Sequence, residues 1–282
     1  TFPTDALGQR VAHEIQKASK GQFNVSFEEF SFYRLSGVKA EKVELRQVKS
    51  SGDVTLVLDS VKARVNLLPL LLLRKSLSTS VNLGGGELSA DIGLNGRDVD
   101  VAILSENIAL EKIPPLMEYA GMPIRGKLSG KIDMAWRQNI TKSTANIELD
   151  LKKMMLGEAS ISGFSLPALT LGNLETKMNI EKGKFSVKSF KQVGGDISAR
   201  LKVNSDLRPS IMASSLDACA EFKFEDSVLD KNPKLKTALQ LAEVQLKKDK
   251  GNYLHAAFRG TLSRPRLRRQ VLCSDTKKSK KK

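Results

Sequence analysis

The sequence predicts a mainly β fold, an antiparallel meander interrupted by about three short amphipathic helices. Three observations predict it. Apolar and polar residues alternate along most of the chain after Gly21. The alternating runs recur at spacings of about ten residues, and Gly-rich turns separate them. Phe, Trp and Tyr supply only 5% of the chain, so the core has to be built from Leu, Ile, Val and Ala. With 282 residues the chain can form one large all-β domain or two ordinary ones.

The first element is a helix over 5–19. Leu7, Val11, Ile15 and Ala18 recur at helical spacing, with Pro3 and Thr4 as start signals and Gly21 just past the end. Packing on a sheet is the expectation for it; a membrane-surface helix is the alternative. His13 falls on its surface.

The period then changes to two. Phe23, Val25 and Phe27 alternate with Asn24, Ser26 and Glu28. Leu77, Thr79, Val81 and Leu83 run to the turn at Gly84–Gly86, and Leu88, Ala90, Ile92 and Leu94 return, which describes a hairpin. In "KLSGKIDMAW" the side chains of Leu128, Ile132, Met134 and Trp136 point one way. Ala145, Ile147, Leu149 and Leu151 follow, then Leu174, Thr176, Met178 and Ile180 up to the turn "EKGK". Phe185 and Val187 come next, and Ile197, Ala199, Leu201 and Val203 follow "GGD". Ala218, Ala220, Phe222 and Phe224 continue the pattern and place Cys219 on the polar side.

Two further helices are predicted. One lies at about 111–120, opened by Pro114 and Pro115 and stopped by Gly121. The other lies at about 232–248, with Leu235, Leu239, Ala242 and Leu246 on one face. A last strand carries Leu254, Ala256, Phe258 and Leu262, with His255 on its polar side. Residues 1–263 are thus expected to form a single β-rich domain, and 264–282 a basic, disordered tail. The segments "LGGGELSADIGL" and "VGGDISARLKV" echo each other, either by duplication or by convergence of Gly-rich hairpins.

The net charge is +15, and the last 19 residues hold nine Lys and Arg against one Asp. Such a tail could meet anionic lipid, but no aromatic residue is interleaved with the bases, which argues against single-stranded nucleic acid as a partner. Cys219 and Cys273 are too few for a disulfide framework or a zinc site; one bridge or two free thiols are both open. No catalytic site emerges: a Ser-His-Asp or Cys-His site needs a base, and the only two histidines, His13 and His255, fall on a helix flank and on the solvent side of a strand. "GGGEL" lacks the context of a phosphate-binding loop. The expectation is therefore no catalytic, cofactor-binding or metal-binding residue, and no enzyme. "NVS" and "NIT", at Asn24 and Asn139, match glycosylation acceptors, which matters only in a eukaryotic secretory pathway.

The longest apolar run, Leu67–Leu73, contains Pro69 and ends at Arg74. It falls far short of the about 20 residues that cross hydrocarbon as a helix, and Pro69 forbids a regular central strand. A short helical turn or a bend is expected, covered by core or by lipid. The strands raise the same question on a larger scale. Each offers three or four apolar side chains on one face, and three modest helices cannot shield them all. Either the sheet closes on itself as a sandwich, or it forms a trough with an apolar lining for acyl chains or a partner. For such a groove the candidate lining is Leu128, Ile132, Met134, Trp136, Ile147, Leu149, Ile197 and Leu201.

"TFPTDALGQRVAHEI", "FYRLSGVKAEKVEL", "VKARVNLLPLLLLRKSLSTSVNLGGGELSADI" and "PLMEYAGMPIRGKLSGKIDMAW" occur in that order, followed by "NPKLKTALQLAEVQLKKDKGNYLHAAFRGTLSRPRL". Over about Thr1 to Leu267 this resembles the type II secretion system protein N family in its delta-proteobacterial form. The "LLPLLLLRKSLSTSVNLGGGEL" and "GKLSGKIDM" segments also resemble AsmA-like periplasmic proteins. The resemblance implies a non-enzymatic secretion component at the periplasmic face of the bacterial inner membrane. An N-terminal span would anchor it there, and other inner-membrane subunits would be its partners. The AsmA-like side of the resemblance implies an elongated, curved and grooved sheet that moves phospholipid between the inner and outer membranes. The expected span is missing from this chain, which begins at Thr1 as a cut or processed chain would, and the Lys-rich tail is outside the motif set.

Overall fold

The computed structural model describes residues 4–48, 53–67, 69, 75–161 and 164–275. Most of the apolar run at 67–73 lies outside them. The described chain is mainly β, with 16 strands in one antiparallel sheet and two more, β10 (Ala159–Ile161) and β11 (Phe164–Leu166), in a separate hairpin. The strand order is that of a meander, since most strands pair with their neighbours in sequence. Two compact units share these elements, Thr1–Lys131 and Ile132–Lys282.

The first unit opens with α1 (Thr4–Ala18), which packs against β1 (Phe23–Ser26) and β2 (Glu29–Tyr33). Gly8 lets it come close: a Cβ there would stand 2.6 Å from the Phe27 ring. The Phe27 ring leans on Phe30, and Phe30 is buried. Both short strands pair with β3 (Gly37–Gln47). From there β4 (Val54–Val65), β5 (Lys75–Leu83), β6 (Gly86–Asn95) and β7 (Asp98–Ala109) each pair with the one before. The β5–β6 hairpin is tight because Gly84 and Gly85 both take positive φ, at +59° and +76°. A two-residue turn of this hand matches strand twist, and a side chain would strain it.

A 3-10 turn, Leu110–Lys112, precedes α2 (Pro114–Ala120). The helix expected at 111–120 is therefore shorter: Pro114 and Pro115 fit only in a first helical turn, and Gly121 in the left-handed region ends it. β8 (Ile124–Arg137) follows.

The second unit holds the end of β8, then β9 (Asn139–Leu156), β12 (Leu169–Glu181), β13 (Lys184–Val193), β14 (Ile197–Asp206) and β15 (Ser215–Phe224). After β15 come α3 (Asp226–Lys231) and α4 (Pro233–Glu243). The sequence reading does not include α3. It runs α4 on to 248, whereas the helix ends at Glu243 and Lys247–Lys248 forms a short strand, β16. Val228 and Leu235 from the two helices meet Leu169 in a buried cluster, with Ile197, Phe224 and Leu239 packed around it.

The C-terminal segment is the main correction. Residues 264–275 are not a disordered tail: β18 (Arg264–Arg268) pairs with β17 (Leu254–Thr261), and Cys273 is bonded to Cys219. The Gln270 side chain donates to the carbonyls of Glu243 and Val244, at 3.1 and 2.9 Å, and so caps the end of α4. Residues 276–282 lie outside the described residues.

Candidate functional site

Residues paired across an antiparallel ladder point to the same face, and side chains two apart on a strand do too. In the first unit this places Val65, Leu77, Ile92 and Val101 in one row and Ala63, Thr79, Ala90 and Ile103 in the next. None of the eight is buried; Leu77 is 37% exposed and Val65 40%, while the others are half-buried. The opposite face carries Arg64, Ser78 and Asp91 in one row and Ser60, Asn82, Glu87 and Glu106 in another. Side-chain hydrogen bonds knit it: Asn82 Nδ2 donates to Ser60 Oγ at 3.0 Å and Ser80 Oγ to Glu87 Oε1 at 2.6 Å. One face is thus mainly polar, with Ala102 and Leu104 its apolar members on β7, and the other is mainly apolar and half open.

The eight residues nominated for a groove are all half-buried. Leu128 belongs to the first unit, and the other seven to the second. There, Ile147 sits in a row with Met178 and Val187, and Leu149 in a row with Thr176 and Phe190, all half-buried. Ile132, Met134 and Trp136 lie on the second unit's part of β8. Leu201 pairs with Ala220 on β15. Ile197 differs: it packs with Phe224 against the helix-roofed cluster of Leu169, Val228 and Leu235 and so belongs to the core. The rows of the first unit were missed as candidates, although the alternation at 77–94 already marked them.

Two residues read as polar-side positions are buried. Cys219 is 4% exposed and His255 4%, because the segment ending at Cys273 covers that face of β15 and β17. The Cys273 amide donates to His255 Nδ1 at 3.1 Å, and Glu221 Oε1 is 3.9 Å from the same nitrogen. Nε2 stands 3.3 Å from Asp249 Oδ2, with no hydrogen bond of regular geometry. Asp249 is held below the usual carboxylate range, first by the Tyr253 amide, then by the Gly251 amide and by His255. Those amides lie 2.9 and 2.8 Å from its Oδ1.

Among the described residues, no helix is long and apolar enough to cross a membrane. No family model matches this chain, and neither does any curated protein or solved structure.

Proposed function

We propose that this protein is a non-enzymatic lipid-binding protein at the periplasmic face of the bacterial inner membrane, whose apolar strand faces take the acyl chains of phospholipids. One observation carries the reading: the rows through Leu77 and Ala90 in the first unit are apolar, Thr79 apart, on four adjacent strands and half open. Leaving apolar surface in water forgoes about 25 cal/mol per Å². Contiguous open patches of that kind mark binding sites more often than scattered exposed residues do. Acyl chains fit such a face because it offers a wide apolar surface, with Thr79 the one hydroxyl in the two rows. The disulfide between Cys219 and Cys273 supports an oxidising compartment such as the periplasm.

A second reading, a subunit of a type II secretion system, is favoured by the order of the sequence motifs from Thr1 to Leu267. The two are compatible, since a lipid-binding sheet can serve a secretion apparatus. Deleting the gene and assaying secreted exoproteins tests the second reading; unchanged secretion counts against it.

The first is tested by native mass spectrometry after purification without detergent. Masses of one or more phospholipids on the chain are expected. A clean mass of the bare polypeptide, before and after incubation with phospholipid vesicles, removes the proposal.

A further inference from the structure

The buried face of β15 and β17 carries a cluster that lipid binding does not use. Cys219 and Glu221 are two apart on β15, and His255 pairs with Glu221 across the ladder. Cys273 closes over them from the C-terminal segment. A sulphur from each cysteine and a ring nitrogen of His255 lie within 4.8 Å of one another, and all three residues are buried. Carboxylates flank the imidazole on both sides: Glu221 Oε1 is near Nδ1, and Asp249 Oδ2 is near Nε2.

We propose that, when the disulfide is open, this cluster binds one zinc-type divalent transition-metal ion. The ligands are Cys219 Sγ, Cys273 Sγ and His255 Nδ1, which already stand together, and Glu221 Oε1, 3.9 Å from Nδ1, moves in as the fourth. Thiolate and imidazole together select such ions over magnesium or calcium, and four ligands complete a tetrahedral site. The electron balance is that of thiol–disulfide exchange. A dithiol supplies two electrons and two protons to the S–S bond and leaves as its own disulfide, or a phosphine and one water do so and leave as the phosphine oxide; two thiols form, and the metal ion displaces a proton from each into solvent. The sulphurs then part to about 3.7 Å, as Zn–S bonds of about 2.3 Å in a tetrahedron require. Cys273 shifts with its sulphur, and its amide releases Nδ1 to the ion.

The groups around the ligands suit this state. With Nδ1 on the metal, the proton sits on Nε2 and faces the Asp249 carboxylate at 3.3 Å. A carboxylate behind a ligating histidine fixes the tautomer and raises the ligand's basicity. Arg200 Nη1 is 3.5 Å from Glu221 Oε2, on the other oxygen from the one offered to the ion. The Arg200 guanidinium is steadied over the Tyr253 ring, 4.5 Å from its centre. The same C-terminal segment is therefore pinned to β15 by a covalent bond in the oxidised chain and by a metal ion in the reduced one.

The test is a titration of the full chain with Co²⁺ under anaerobic conditions, after reduction by a phosphine and removal of the reductant. One cobalt per chain is expected, with thiolate-to-cobalt absorption and tetrahedral d–d bands, displaced by one equivalent of Zn²⁺. The unreduced protein should take up none. Asp249→Asn should weaken binding about 10–100-fold, and the Cys219→Ser, Cys273→Ser double variant should abolish the thiolate bands. If the reduced chain loosens, near-ultraviolet circular dichroism should recover on adding Zn²⁺. The proposal is overturned by absent uptake, by uptake that the double variant retains in full, or by a reduced chain that stays unfolded with zinc.

Discussion

At Gln192 a carboxamide sits between two strands that have parted. β13 and β14 pair only at Lys184↔Asp206, Phe185↔Ser205 and Ser186↔Asn204 among the described residues. Nearer the turn the Gln192 side chain takes over: Ala199 N–H donates to its Oε1 at 2.7 Å, and Nε2 donates to the Leu171 carbonyl at 2.8 Å and to the Ile197 carbonyl. The side chain thus acts as a peptide unit inserted into the ladder. Gln192→Leu keeps the volume and strips three hydrogen bonds, which leaves an amide and two carbonyls without their partners. A loss of about 1–3 kcal/mol is expected, read as a lower urea midpoint at unchanged slope. A midpoint equal to wild type would mean that water or a shifted backbone satisfies those groups equally well. The sequence offered no sign of this role, because a lone polar residue in an apolar row has meaning only once the register is known. His255 and Cys219 were misread for a related reason. Alternation tells which face a side chain takes, and nothing in it tells that a distant segment will cover the polar face.

At the scale of elements, period-two alternation made the long strands legible, and the turn residues fixed where they end. The helices were legible in place and less so in length. α4 stops at Glu243 because Gln270 and the Lys247–Lys248 strand claim the residues after it, and both depend on the C-terminal segment. That segment was read from its charge as disordered. Arg264 and Arg266 are exposed and Leu267 is the one large apolar residue between 264 and 268, so the apolar signal of a strand is absent, yet the edge of β17 gives it a ladder to join. The Cys219–Cys273 bond spans 54 residues and ties this segment down. In the chain-entropy account a loop of that size contributes about 4 kcal/mol through the unfolded state. Cys273→Ala should lower the unfolding free energy by an amount of that order. Reductant should destabilise the wild type by a comparable amount and leave the variant unmoved. A variant as stable as the oxidised wild type would mean that β18 and Gln270 suffice to hold the segment.

For the whole molecule, the two units treat their apolar strand faces differently. In the second, α3 and α4 roof the end of the face at Ile197 and Phe224 and make a core there. In the first, the rows through Leu77 and Ala90 are left half open, with α2 near β4 and α1 beside β1 and β2. Part of this was legible: a period-two pattern with few helices implies more apolar face than helix to cover it. Which face would gain a roof was not, since α3 gave no signal and the register that groups the rows is a property of the folded ladder. The distinction sets the last prediction. Leu77 and Leu94 are 37% and 42% exposed on the open face, whereas Leu254 in the second unit is 2% exposed. Leu77→Glu combined with Leu94→Glu places two carboxylates where acyl chains would lie, while each can still reach water. The pair should change the melting temperature little, as substitutions away from the core usually stay within about 0.5 kcal/mol each. Leu254→Glu, which buries an unpaired charge, should abolish folding. If the open face is where lipid sits, native mass spectrometry of the folded double variant shows the phospholipid masses strongly reduced against wild type. If the lipid load is unchanged in a double variant that melts like wild type, the acyl chains do not lie on β5 and β6, and the lipid reading has to move to the second unit or be given up.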